Sequence, residues 1–320
     1  MQLSNAFAII LTVLLAFTPT SVYAVEGRAS DGRASDVRVS ADAFSAPRGS
    51  MAHARNADSL PKAITSCVRP NTMAITFDDG PYVNMFVSAY EGTEKPALNL
   101  PHRTDISDMF TKRGGKATFF INGNNYDCIY HEDVVKRLRY VFDAHHQIAS
   151  HTWSHPDLST CSESRIRSEI DRLDVAMLAI LGIKTQYLRP PFGSYNNKVT
   201  RVATEKGKSL VIWDFDSGDS VGKSWEQSEE LYTKKFDDKP ENIMALNHET
   251  QPDTVAHIVP WLIEEALAAG YELVTVAECL GEEPYTFQGP FGERDASVLA
   301  DMLLTTLNDT QPSWTCKKSQ

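Results

Sequence analysis

No run of basic residues occurs anywhere in the 320-residue chain, and its formal charge is −11. Without a basic stripe there is no electrostatic footprint for nucleic acid, so no such partner is expected. Long apolar stretches are almost as scarce. Ala6 to Phe17 (AFAIILTVLLAF) is short for a membrane span, and no second one follows. Val22-Tyr23-Ala24 behind it offers a cleavage site, so residues 1–24 read as a secretory signal peptide, although the start, MQLSN, carries only its α-amino charge. The closing TCKKSQ lacks the apolar tail of a lipid-anchor signal. A secreted protein without a membrane span, extracellular or in a cell wall, is the expectation. Cysteine is sparse too. Cys67, Cys128, Cys161, Cys279 and Cys316 have no zinc-cluster spacing, and an odd number leaves one thiol free or paired between chains. Asn308-Asp309-Thr310 is a glycosylation sequon.

What is present falls into blocks. Residues 25–66 contain the pentad GRASD twice and almost no large aliphatics before Asp58. They read as a disordered linker or pro-segment, because such a composition cannot offset chain entropy by burial. From Cys67 onward, strand-length apolar runs alternate with helical patterns: MAITF (73–77), KATFFI (116–121), HQIAS (146–150), QYLR (186–189), SLVIW (209–213), NIMAL (242–246) and YELVTV (271–276). The helical pattern is clearest over 162–181, where Ile166, Ile170, Leu173, Met177, Leu178 and Leu181 recur at steps of three or four. Thr160 and Glu163 offer a capping box, and Gly182 a stop. A second helix is expected over 261–270. This alternation predicts an α/β fold, a distorted (β/α) barrel of about seven parallel strands in a single domain, 67–280. The patternless insertion between Pro81 and Lys116 reads as a long loop near the site. Residues 281–320 form a tail with a possible helix over 296–307.

Polar clusters follow the apolar runs at their C-terminal ends, where such barrels carry active sites. Asp78-Asp79 follows the first run, and adjacent carboxylates behind a buried strand repel each other unless a cation offsets the charge. His151 and His155, in HTWSH, have the spacing of a zinc-protease pair without the intervening glutamate. Either a helix face or a bent turn would let both rings converge. One aspartate added to them makes a His₂Asp site suited to zinc and related divalent ions, and the second aspartate is then free as a base. Arg189, before Pro190-Pro191-Phe192-Gly193, is placed to orient that base by a two-pronged contact. The stiff turn can aim a backbone N–H at an oxyanion. His248 needs a carboxylate partner to serve as general acid, with Asp214, Asp216 and Asp219 as candidates.

These residues resemble the ordered motifs of the polysaccharide deacetylases of carbohydrate esterase family 4, the NodB-homology domain. The matching stretches are TFDDG (76–80), HTWSH (151–155), RPPFG (189–193), DSGDS (216–220) and LNH (246–248). The run SHTWSHPDL and the ending PSWTC are most similar to fungal secreted chitin deacetylases. The resemblance implies metal ligands Asp79, His151 and His155, with zinc the expected ion and cobalt an alternative. It implies Asp78 as base, oriented by Arg189, and His248 as acid, supported by Asp219. Phe192 would give its N–H to the oxyanion, and Leu246 would line the acetyl pocket. The implied activity is an amidohydrolase releasing acetate from chitin or chitooligosaccharides, working as a monomer. Peptidoglycan and O-acetyl xylan are the alternative substrates, and a weakly active glycan-binding wall protein is the alternative class. Ser220 departs from the family, in which a tryptophan commonly ends the fourth motif. Trp213 and Trp225 are the candidates to supply that apolar surface. Cys67 and Cys279 flank the barrel, whose closure brings its ends together, so a disulfide between them is expected.

Overall fold

The computed structural model describes residues 60–85, 105–289 and 316. The expected signal peptide, most of the linker, part of the insertion, the 296–307 helix and the sequon lie outside these residues.

In chain order the elements are β1 (Thr72–Gly80), α1 (Ile106–Thr111), β2 (Thr118–Ile121), α2 (Glu132–Asp143), β3 (Gln147–Ser150), α3 (Glu163–Leu181), β4 (Ile183–Thr185), β5 (Tyr187–Leu188), α4 (Asn197–Glu205), β6 (Ser209–Leu210), β7 (Phe215–Asp216), α5 (Trp225–Asp237), β8 (Asn242–His248), α6 (Val259–Ala268), β9 (Glu272–Leu273), α7 (Val276–Leu280) and β10 (Tyr285–Gln288). The main sheet runs β6-β5-β3-β2-β1-β8-β7, with β9 also pairing β1. Every pairing in it is parallel. It curls into a distorted, half-closed barrel.

A parallel sheet covered on both faces needs apolar side chains in both directions, and the strands supply them. On β1, Met73, Ile75 and Phe77 join the larger core with the helices, while Ala74 joins Phe120, Ala149, Tyr187, Val211 and Met244 in a second, inner cluster. Val276, Ala277 and Cys279 of α7 belong to that inner cluster, where Cys279 is disulfide-bonded to Cys67. A second disulfide joins Cys128 to Cys316, and Cys161 is free.

Some boundaries differ from the sequence reading. The N-cap of α3 is Ser162, whose side chain accepts from Arg165 N, while the Thr160 hydroxyl is engaged with Asp157 O at 2.8 Å. Gly182 ends α3 in the left-handed region, φ 69°, which glycine adopts without cost. YELVTV is not one strand: only Glu272–Leu273 pairs, because Thr275 and Glu278 form a capping box that starts α7. Within the insertion, Ile106–Thr111 is helical. Ile64, counted above with the linker, bridges Val211, and its N–H donates to Leu210 O at 2.8 Å. Tyr285–Gln288, counted with the tail, pairs antiparallel with β4.

Candidate active site

Strand alternation places most of the site. Thr76 and Asp78 continue the inner-facing phase of Ala74. In the same way His151 continues Ala149, Arg189 continues Tyr187, and Leu246 and His248 continue Met244. The strands are parallel and in register, so their inner C-terminal positions meet at one end of the barrel: Asp78 stands beside His248, and Thr76 beside Leu246. Asp79 has the wrong phase for this face. The register between β1 and β2 shifts between Asp78 and Gly80, and Asp79 has φ 73°. That irregularity turns adjacent carboxylates toward one site.

HTWSH forms a turn, not a helix, with Thr152 at φ 74° and His155 at φ 57°. The two rings come within 4.9 Å, centroid to centroid. His151 Nδ1 donates to Arg189 O at 2.8 Å, so the lone pair sits on Nε2. That Nε2 lies 3.5 Å from Asp79 Oδ1, and His155 Nε2 lies 3.1 Å from the same oxygen. Asp79 Oδ1 is buried without a properly directed hydrogen bond. A carboxylate oxygen facing ring nitrogens with no satisfying proton geometry is the donor set of a cation, and one ligand atom from each of the three residues falls within 4.8 Å of the others. The residues therefore fit a divalent metal. Burial opposes ionisation of Asp79, but hydrogen bonds and positive charge at the positions of His151 and His155 outweigh it and hold the carboxyl far below its usual range, a part that a cation between neutral rings would take over.

Asp78 is buried, with Oδ1 accepting from Arg189 Nη1 at 2.8 Å and Oδ2 lying 3.7 Å from His151 Nε2. The arginine contact is single. Its other donors go to Thr76 Oγ1 at 2.6 Å and Ile212 O at 2.9 Å, and its plane lies over the Phe120 ring at 4.0 Å. The two-pronged clamp expected from the sequence is replaced by a fork spread over three acceptors. Burial works against the guanidinium's charge and lowers its pKa, and the Asp78 carboxylate offsets only part of this.

Asp219 is the carboxylate that reaches His248, Oδ1 to Nδ1 at 2.8 Å. Its Oδ2 accepts the His248 N–H and the Thr254 hydroxyl, each at 2.7 Å. Asp214 instead accepts from Met244 N, and Asp216 from Gly218 N. Burial lowers the basicity of His248, but Asp219 outweighs it and raises the pKa to about 9. Phe192 stands at the rim, 71% exposed, with φ 61° and its ring 4.7 Å from that of His155. Trp213 lies beneath the same turn, close against Gly193 and 5.6 Å from the Arg189 guanidinium carbon. Trp225 stacks instead on His257, centroids 4.7 Å apart. Of the two tryptophans, Trp213 is the one beside Arg189.

Two supporting residues escaped the sequence reading. Glu169, buried on α3, accepts from Ser154 N at 2.7 Å and Ser154 Oγ at 2.8 Å, and so fixes the histidine turn. Its position in the helical repeat, between Ile166 and Ile170, gave no sign of this. Asn122, two residues beyond Phe120, donates to His151 O and Thr152 O. The strand-end rule that found the other residues would have found it.

Comparison with known proteins bears on this geometry. Residues 65–211 match the family model described as polysaccharide deacetylase. The chain is 33% identical over 226 residues to a chitin deacetylase of a Pestalotiopsis species, covering 68% of this chain and 67% of that one. The chain belongs to the polysaccharide deacetylase family. This family member is also 31% identical to a probable peptidoglycan-N-acetylglucosamine deacetylase of Arthroderma benhamiae, over 69% of its own length and 46% of the relative's. Its fold matches the solved chitin deacetylase of Colletotrichum lindemuthianum with a TM-score of 0.61 at 26% identity, covering 73% of this chain and 98% of that one. No helix among the described residues is long and apolar enough to cross a membrane.

Proposed function

We propose that the chain is a secreted, metal-dependent hydrolase that removes N-acetyl groups from N-acetylglucosamine units of chitin or chitooligosaccharides. The observation that carries this reading is the meeting of Asp78, Asp79, His151 and His155 at one end of the barrel, with His248 beside them. Asp79, His151 and His155 would hold the ion; two nitrogens and an oxygen favour zinc, with cobalt as a substitute. When bound, such an ion supplies Lewis acidity, making a water easier to deprotonate and polarising the acetyl carbonyl.

The chain's own groups do the rest. Asp78, held by Arg189, takes a proton from the attacking water. The water oxygen bonds to the acetyl carbon, and the Phe192 N–H stabilises the oxyanion that develops there. Leu246 lines the methyl pocket, and Trp213 walls the site where the family has a tryptophan at the position of Ser220. His248, an imidazolium at neutral pH, donates its Nε2 proton to the departing nitrogen as the C–N bond breaks. Acetate and a free amine result. Both disulfides favour an oxidising compartment, in keeping with secretion.

The test is acetate release by the zinc- or cobalt-loaded protein from chitin oligomers, peptidoglycan and acetylated xylan side by side. Chitin oligomers should be cleaved fastest, and chelation should abolish release. The Arthroderma relative favours peptidoglycan as the second substrate, and preference for it would move the assignment there. Binding of chitin with no acetate from any substrate would instead leave a glycan-binding protein.

A further inference from the structure

Glu249 follows His248 at the end of β8 and is fully buried, yet the chemistry above does not use it. Its Oε1 accepts the Tyr82 N–H at 2.7 Å, and its main-chain carbonyl accepts from Asn84 Nδ2 at 2.9 Å. Its Oε2 has no hydrogen-bond partner. A buried carboxyl with an orphan oxygen costs stability, so an apolar residue would serve packing better. What the carboxyl does is tie β8 to the segment leaving β1 directly after Asp78 and Asp79. Gly80 is shaped to the same contact, since a Cβ there would lie 1.9 Å from Glu249 Oε1. The three atoms nearest that Cβ all belong to Glu249, so Gly80 makes room for this one side chain.

We infer that Glu249 is a positioning residue, whose carboxyl clamps the Gly80–Tyr82 turn and thereby holds Asp79 in its left-handed conformation, with both aspartates facing the cavity. This rests on the assignment of Asp79 as ligand and Asp78 as base. Burial pushes the Glu249 carboxyl up to about 8. The Tyr82 N–H and Arg137 oppose that rise, and Asp79 and Asp78 reinforce it. At neutral pH the clamp is therefore the uncharged acid, and it adds no third negative charge beside the aspartate pair. Glutamine is its natural mimic.

The experiment uses the full chain, stripped of metal and titrated with cobalt(II) by calorimetry, alongside hydrogen exchange of peptides covering residues 78–84. Glu249→Ala should weaken cobalt binding by about 10–100-fold, the usual effect of losing an outer-shell partner, and speed exchange across the turn. Its kcat should fall with KM little changed. Glu249→Gln should keep wild-type binding and exchange. Gly80→Ala should reproduce the loss, and adding it to Glu249→Ala should cost nothing further, because the new Cβ then meets no carboxyl. Cobalt binding and exchange unchanged in Glu249→Ala would overturn the clamp, as would a Gln variant no better than Ala. Should Glu249→Ala not fold, Gly80→Ala and Glu249→Gln decide it. Absence of cobalt binding by the wild type would overturn the ligand assignment instead, with the exchange comparison still testing the clamp.

Discussion

Asp78 and Asp79 are neighbours of one chemical type, and their contacts differ. Asp78 is pinned by Arg189, while Asp79 faces two imidazoles. If Asp78 is the base, Asp78→Asn should lower kcat by about 10²–10⁴-fold while bound metal, measured by elemental analysis, stays at the wild-type level. His248 illustrates how a partner sets a proton's range. Its pKa is raised from 6.5 to about 9, so it is charged at neutral pH and kcat should decline as pH rises through about 9. Asp219→Asn removes the anion that outweighs burial, and a pH–rate profile should show that limb moving to lower pH. Linkage has the same sign: the stability from this pair is complete below about 6.5 and lost as pH rises through about 9. The positions of Asp78 and His248 were legible because both follow apolar runs. The choice of Asp219 over Asp214 and Asp216 was not legible from spacing, because all three lie within six residues and only the folded backbone decides which reaches His248.

At the scale of elements, the strand ends set direction and the turns after them set geometry. The apolar runs located the strands because a doubly covered parallel sheet demands such runs. The HTWSH spacing allowed a helix or a turn. The structure chose a turn, held from outside by Glu169 on α3. Glu169→Ala should therefore lower metal affinity by about 10–100-fold in a zinc titration while leaving the far-UV helix signal intact. The capping box proposed at Thr160 gave way to Ser162 because the Thr160 hydroxyl was already engaged with Asp157, a local competition invisible in a one-dimensional pattern.

For the whole molecule, closure matters more than any one element. Cys67 and Cys279, separated by 212 residues, are joined by a disulfide beside the inner core cluster. Constraining so long a loop in the unfolded chain has a large effect. Replacing both cysteines with serine should cost about 2–5 kcal/mol, read as a lower urea midpoint with an undiminished slope. The pairing of Cys128 with Cys316 was not deducible from spacing, and the fold alone brings those residues together.

The sequence by itself determined the parallel α/β plan, most of the strands, and the residue types that end them, since burial and charge at strand ends follow from local pattern; β4, β7 and β10 were outside the runs it marked. The tertiary structure decided what pattern cannot carry. It turned Asp79 against its strand phase, spread Arg189 over three acceptors, placed Glu169 and Glu249 against the turns that follow β3 and β1, and set Trp213 beside Arg189 and Trp225 on His257. Each depends on backbone irregularity or on contacts between residues far apart in the chain. Such contacts exist only after the sheet has curled and the helices have packed on it.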